Sequence, residues 1–246
     1  MRNINFLSVV IPAYKQEKTI LKDIRDLDES LKSLPYKYEI IVVVDGFIDT
    51  TFGKAKQIDK EHIKVFGYEK NEGKGHAVKY GMLKAKGDVI GFVDAGMDLS
   101  PTGISILLDS MMWQDADIIV GSKLHPDSRV DYPYFRRILS WGYRTLTHLL
   151  FGFSVRDTQV GMKFFKRELV EKVFPKLLVK AFAFDVEILA VANSMGYKKI
   201  IEGPVELNFK GGSSITSGNF WIIVLLMLWD TMAVFYRLKI LNYYKK

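Results

Sequence analysis

Short, almost unbroken apolar runs alternate along the first half of the chain with longer stretches in which apolar positions recur every three or four residues. Leu7–Ile11, Glu39–Val44, Ile63–Phe66 and Val89–Val93 have strand length and are bounded by turn residues. Runs of this kind read as strands covered on both faces. Between them, Glu17–Leu34 places Ile20, Leu21, Ile24, Leu27 and Leu31 on one helical stripe. Asp49-Thr50-Thr51 opens another helix, because an Asp side chain can accept from free backbone N–H groups. Asn71-Glu72-Gly73-Lys74-Gly75 is a Gly-rich loop, and His76–Lys86 follows it as a helix. Strand–helix alternation predicts an α/β fold with a mostly parallel sheet and right-handed crossovers.

The second half has a different texture. Ile104–Met112 and Phe184–Met195 read as helices, and Asp117–Val120 and Gly161–Phe165 as short strands. Lys199–Leu207 carries Pro204 and reads as an edge strand. Residues 125–134 hold two prolines and read as a loop. Phe135–Phe151 is an amphipathic helix, with Arg137, Arg144 and His148 on one stripe and Leu139, Leu146, Leu149 and Leu150 opposite. Such a helix faces either a core or a membrane surface.

The tail Asn219–Leu241 is apolar almost all round, with Asn219, Asp230 and Arg237 forming one narrow polar stripe. As a helix it is about 33 Å long, close to a bilayer's apolar thickness. Asp230 near its centre disfavours insertion by roughly 2.5–3.5 kcal/mol. The stripe therefore favours a helix lying in the membrane interface, with Lys239, Lys245 and Lys246 near anionic headgroups. Docking on a core or a second copy is the other reading. The expected division is a catalytic domain over residues 1–216 and a membrane-associating tail over 217–246.

Composition narrows the chemistry. The chain has 246 residues, 48% of them hydrophobic, which is ample for one large domain. Cysteine is absent, which excludes disulfides, thiolate nucleophiles and Cys-ligated zinc. The net charge of +7 suits phosphorylated ligands or an anionic surface. The run Phe6–Ile11 is too short for a signal peptide. Asp94 and Asp98 follow the strand Val89–Val93. Ligands of open α/β sheets bind at strand ends, and two neighbouring carboxylates suit a hard divalent cation completed by phosphate and water. Two solvated loop aspartates are the bland alternative.

In order, Ile11-Pro12-Ala13-Tyr14, Val44-Asp45-Gly46 with Asp49-Thr50-Thr51, the loop 71–75, Gly87-Asp88 and the Asp94/Asp98 pair resemble the nucleotide-sugar glycosyltransferases of the GT-A fold. Gly121-Ser122-Lys123, Arg136-Arg137 with Ser140, Asp157-Thr158-Gln159-Val160-Gly161-Met162-Lys163 and Phe184-Asp185-Val186-Glu187 narrow the likeness. They resemble the polyprenyl-phosphate hexosyltransferases, and within these the glucosyl branch. The likeness runs over about residues 7 to 210.

The resemblance implies roles. Pro12, Tyr14, Glu17 and Asp45 would hold the base and ribose, and Lys74 and Gly75 the diphosphate. Asp94 and Asp98 would hold Mg²⁺ or Mn²⁺. Lys123, Arg136, Arg137 and Ser140 would bind the acceptor phosphate. Asp157, Gln159 and Asp185 would lie near the hexose, with Asp157 and Asp185 catalytic alongside the metal aspartates. The implied partners are UDP-glucose, with GDP-mannose second, a polyprenyl (dolichyl or undecaprenyl) phosphate and the cytoplasmic face of a membrane; no nucleic acid is implied, and the oligomeric state stays open.

The chain departs from the family pattern in four places. Asp98 stands four positions after Asp94 rather than two, so the loop must bulge at Gly96. Lys15-Gln16 stands where Asn-Glu is usual, Val44 and Phe47 replace an Asp and a Ser, and Lys123 replaces an Arg.

A phosphate acceptor needs no general base, since it already carries about −1.5 to −2 charges at neutral pH. The expected reaction is a single inverting displacement in which cations screen two phosphates. Competing readings are a transferase acting on a sugar hydroxyl, a sugar nucleotidyltransferase and a membrane-surface protein without activity.

Overall fold

The computed structural model describes residues 4–96, 99–128, 134–152, 155–206 and 220–245, with the backbone alone at 134–140, 220–221 and 245. Seven strands form one sheet: β1 (Phe6–Ala13), β2 (Lys37–Asp45), β3 (Ile63–Tyr68), β4 (Val89–Val93), β5 (Ile118–Ser122), β6 (Met162–Lys166) and β7 (Ile200–Pro204). Their order is β3-β2-β1-β4-β6-β5-β7. Neighbours pair in parallel except at β6, which runs antiparallel to both β4 and β5. The mostly parallel α/β sheet expected from the sequence is present, and β7 lies at its edge with Pro204 as its last residue. The reversal at β6 is not visible in the sequence, because an apolar run carries no direction.

The helices are α1 (Ile20–Lys32), α2 (Thr51–Ala55), α3 (Lys74–Lys84), α4 (Ile104–Trp113), α5 (Tyr134–Phe151), α6 (Arg167–Val173), α7 (Phe184–Ser194) and α8 (Phe220–Phe235). Successive strand residues alternate between two cores, as the pleat requires. Val10, Ile41, Val43, Ile90, Phe92 and Phe165 pack with α3, α6, α7 and the end of α8. Val9, Ile11, Ile40, Val42, Val44 and Phe164 pack with α1 and α4 on the other face. The Asp49 carboxylate accepts from Thr51 N at 2.9 Å at the start of α2, as expected. Helix α6 falls in a stretch where the sequence pattern suggested no element.

The tail forms a shorter helix than its composition suggests. α8 ends at Phe235 and passes into a π-helical turn, Tyr236–Ile240. Among the described residues no helix is long and apolar enough to cross a membrane. Val234, Leu238 and Tyr244 are buried in the main core, so part of the tail is built into the domain.

Candidate active site

The sheet's polarity gathers the candidate residues at one edge. β1, β2, β4 and β5 all end there, with Asp45 the last residue of β2 and Tyr14, Asp94 and Lys123 just beyond the other three, while the reversed β6 begins there. This reversal carries Asp157, Gln159 and Gly161 to the same edge. Val93 pairs with Met162, and Asp94 N donates to Gly161 O at 2.9 Å. A Cβ at Gly161 would lie 1.9 Å from Asp94 Oδ2, so only glycine lets the carboxylate sit there.

Asp94 Oδ2 accepts from Lys74 Nζ at 2.6 Å. Its Oδ1 is buried and has no partner among the described residues. Lys74 is the first residue of α3, one residue after the Gly73 turn, and stands 5.7 Å from the Phe184 ring centre. Burial disfavours its ammonium, but Asp94 and Asp185 outweigh that and raise its pKa. Beneath it, Asp185 on α7 accepts from the fully buried Lys163 Nζ at 2.5 Å. Lys163 also donates to Val160 O at 2.6 Å. Burial raises the Asp185 pKa against the pull of Lys163 and Lys74. Asp94, Lys74, Asp185 and Lys163 thus form an alternating series of charges running from the strand edge into the core.

Neighbouring candidates brace backbone. Asp157 Oδ2 accepts from Lys123 N at 3.1 Å, and burial raises its pKa although Lys123 opposes this. The Arg156 and Asp157 N–H groups both donate to Glu202 Oε1 at 2.9 Å. Asp45 accepts from Asn71 Nδ2 at 2.7 Å, Glu72 N at 2.8 Å and Gly73 N at 3.0 Å, so its carboxylate shapes the Gly-rich loop. Glu17 accepts from Thr50 Oγ1 at 2.8 Å. Pro12 lies on β1, and Tyr14 is exposed just beyond it. Gln159 Nε2 lies 2.9 Å from Met227 Sδ, which seats α8 against the segment between α5 and β6.

Asp98 and the side chains of Arg136, Arg137 and Ser140 lie outside the described residues. Gly96 has a φ of 91°, the left-handed turn expected for a bulged acidic loop. Its N–H donates at 2.9 Å to Asp23 Oδ2 on α1.

Reading the sequence gave Asp23 and Tyr68 no place in the site, and named Gly161 and Lys163 only as members of a motif, without a role. Lys163 was findable, since a lysine inside the strand Met162–Lys166 demands a buried partner. Tyr68 was not: its hydroxyl is buried with no hydrogen-bond partner at normal geometry among the described residues, and burial together with the nearby Asp45 holds its pKa far above the usual phenol range.

The Glycosyl transferase family 2 model matches residues 8–174. The chain belongs to glycosyl transferase family 2. It is therefore a glycosyltransferase, and its sheet is the GT-A arrangement. A Drosophila melanogaster protein named dolichyl-phosphate beta-glucosyltransferase is 34% identical over 245 residues, covering 91% of this chain and 74% of the relative. The Homo sapiens protein of that name is 35% identical over 202 residues, covering 76% of this chain and 62% of the relative. Among solved structures, glucosyl-3-phosphoglycerate synthase of M. tuberculosis superposes with a TM-score of 0.69 at 18% identity, covering 94% of this chain and 80% of that one. A complex of that family-fold neighbour with Mn²⁺ and UDP-glucose superposes with a TM-score of 0.66 at 19% identity, covering 93% of this chain and 79% of that one.

The residues present fit a divalent cation at the end of β4. Asp94 Oδ1, buried and without a hydrogen-bond partner, is a ready oxygen donor. Among the described residues no group of three or more carboxylates or imidazoles gathers to hold a metal, so the remaining ligands would come from Asp98, the donor diphosphate and water.

Proposed function

We propose that this family 2 glycosyltransferase moves glucose from UDP-glucose to a polyprenyl phosphate, dolichyl or undecaprenyl, at the cytoplasmic face of a membrane. GDP-mannose is the second choice of donor. Residues 1–216 form the catalytic domain, and 217–246 the segment that meets the membrane. The observation that carries the lipid acceptor is the seating of α8. Its Met227 touches Gln159, and its Thr231 shares a 2.8 Å hydrogen bond with Tyr143 of α5. The apolar α8 and the amphipathic α5 thereby stand beside the segment assigned to the hexose. The relatives named dolichyl-phosphate beta-glucosyltransferase support the same acceptor.

The reaction is a single displacement. An acceptor phosphate oxygen forms the new bond to the anomeric carbon as the bond to the nucleoside diphosphate breaks, with inversion. The acceptor is already anionic, so no proton has to be removed. Asp185 fits this economy: it is held by Lys163 and buried, a poor place for a general base. Lys74 exchanges its contact with Asp94 for the donor diphosphate, and Lys123, Arg136 and Arg137 hold the acceptor phosphate. Asp94 and Asp98 would hold Mg²⁺ or Mn²⁺, which would supply charge neutralisation on the leaving diphosphate. Tyr14, Pro12 and Glu17 hold the nucleoside, with Asp45 fixing the loop that carries Lys74 and Gly75.

Incubation with labelled UDP-glucose, Mn²⁺ and polyprenyl phosphate tests the reading. Labelled lipid is expected. Product formed only with GDP-mannose moves the donor assignment, and product formed only with an oligosaccharide overturns the acceptor.

A further inference from the structure

Glu187 is fully buried on α7, two residues beyond Asp185, and takes no part in the transfer. Its carboxylate gathers donors from two distant parts of the chain. Leu178 N and Val179 N donate from the segment before α7, at 3.0 and 2.8 Å. From the C-terminus, the Tyr244 hydroxyl donates at 2.5 Å, and the Arg237 guanidinium stands 3.6 Å away. Arg237 Nε in turn donates to the Tyr244 oxygen at 3.0 Å. Lys176 Nζ donates to Tyr244 O at 3.0 Å and fastens the same two segments a second time.

The segment held by Glu187 is the one that grips the Gly-rich loop and the first turn of α3. Lys180 O accepts from Gly75 N at 2.8 Å, and the Lys180 ammonium pairs with Glu72. Lys79 Nζ donates to Leu177 O at 2.8 Å. A Cβ on Gly75 would stand 2.7 Å from Val179 O and 2.6 Å from Phe184 Cβ, so the loop has no slack against this segment. A continuous series of short contacts therefore runs from Tyr244 through Glu187 and Val179-Lys180 to Gly75 and Lys74.

We propose that Glu187 is a positioning residue that couples the C-terminal segment Arg237–Tyr244 to the Gly73 turn and the first turn of α3, so that the seating of the tail sets how firmly this turn holds a donor diphosphate. The diphosphate role of this turn rests on the function proposed above; the mechanical link does not. The physical reason is the buried carboxylate's need for all its donors. Withdrawing the Tyr244 hydroxyl leaves a buried charge short of partners, and the strain falls on the remaining Leu178 and Val179 bonds.

The experiment uses the full chain and the variants Tyr244→Phe and Glu187→Gln. Hydrogen exchange is read in peptides covering residues 72–82 and 176–182, and UDP affinity is measured by calorimetry with Mn²⁺. Each variant is expected to speed exchange in both peptides and to weaken UDP about tenfold, within the usual range of coupling between sites. The double variant is expected to be no worse than Glu187→Gln. Unchanged exchange over 72–82 while 236–245 loosens overturns the proposal. So does a fall in melting temperature with UDP affinity unmoved. If the wild type does not bind UDP, the donor assignment fails and the exchange data alone decide the link. If Glu187→Gln does not fold, Arg237→Gln replaces it in the same scheme.

Discussion

Lys163 is the residue on which the interior of the site turns. Its ammonium is fully buried, with Asp185 at 2.5 Å, Val160 O at 2.6 Å and the Phe92 ring centre at 5.3 Å. Removing one partner of a buried ion pair strands the other, which typically destabilises by about 3–5 kcal/mol. Lys163→Met is therefore expected to lower the unfolding free energy, read from denaturant titration, by that amount, and Lys163→Met with Asp185→Leu to recover much of it; equal losses in both would deny the pair its role. Asp94 is argued differently, because its Oδ1, unpartnered among the described residues, lies at the end of β4 and suits the proposed metal role. Asp94→Asn is expected to leave the melting temperature near wild type and to reduce turnover at least about a hundredfold, the usual loss when a charge-stabilising group is removed. Full activity in that variant would remove Asp94 from the reaction.

At the scale of elements, the sheet edge opposite the active site is tied by acids. Glu39 on β2 accepts from Ser8 Oγ of β1 at 2.8 Å, from Lys64 Nζ of β3 at 2.6 Å and from Lys86 N at 2.8 Å. Burial opposes its charge, but these donors prevail and hold its pKa below the ordinary 4.5. Asp28 on α1 accepts from Lys60, His62 and Tyr38, and although burial opposes the charge, its pKa is far below 3.8. A depressed carboxylate contributes stability that is present above its unfolded pKa and is lost as pH falls through its folded pKa. Glu39→Gln is accordingly expected to flatten the dependence of melting temperature on pH below 4.5 relative to wild type. A parallel offset at every pH would show that Glu39 contributes through shape alone. These acids were legible in the sequence only as residues of a strand and a helix, because their partners come from other elements.

For the whole molecule, two packed helices far apart in sequence each carry large exposed apolar side chains. Trp141 and Leu149 of α5 are 60% and 77% exposed, and Trp229 of α8 is 74% exposed. These side chains are where the proposed membrane contact is tested. The inner side of the tail is committed to the domain through Val234, Leu238 and Tyr244, so deleting the tail would open the core. Replacing Trp141 and Trp229 together by Ser leaves that inner side intact. This variant is expected to lose most of its binding to anionic vesicles in a sedimentation assay while keeping its melting temperature. Undiminished vesicle binding would place the membrane contact elsewhere.

The sequence by itself determined the layering. Strand-length apolar runs alternating with amphipathic helices have few ways to bury both patterns, and an α/β sheet is the one these spacings allow. It also determined which residue types could bear the chemistry, since Asp94, Lys74, Asp157 and Asp185 stand in motifs whose order is itself informative. Only the tertiary structure decided how they meet. The reversal of β6 carries Gly161 beneath Asp94, Lys163 to Asp185 and Gln159 to α8. The sequence offered Asp45 as a candidate, but its bonds to Asn71, Glu72 and Gly73 were not legible there. Periodicity records which face of an element is apolar and leaves strand direction and pairing unspecified. Those are fixed by packing among residues far apart in the chain, and this edge of the sheet is assembled from such contacts.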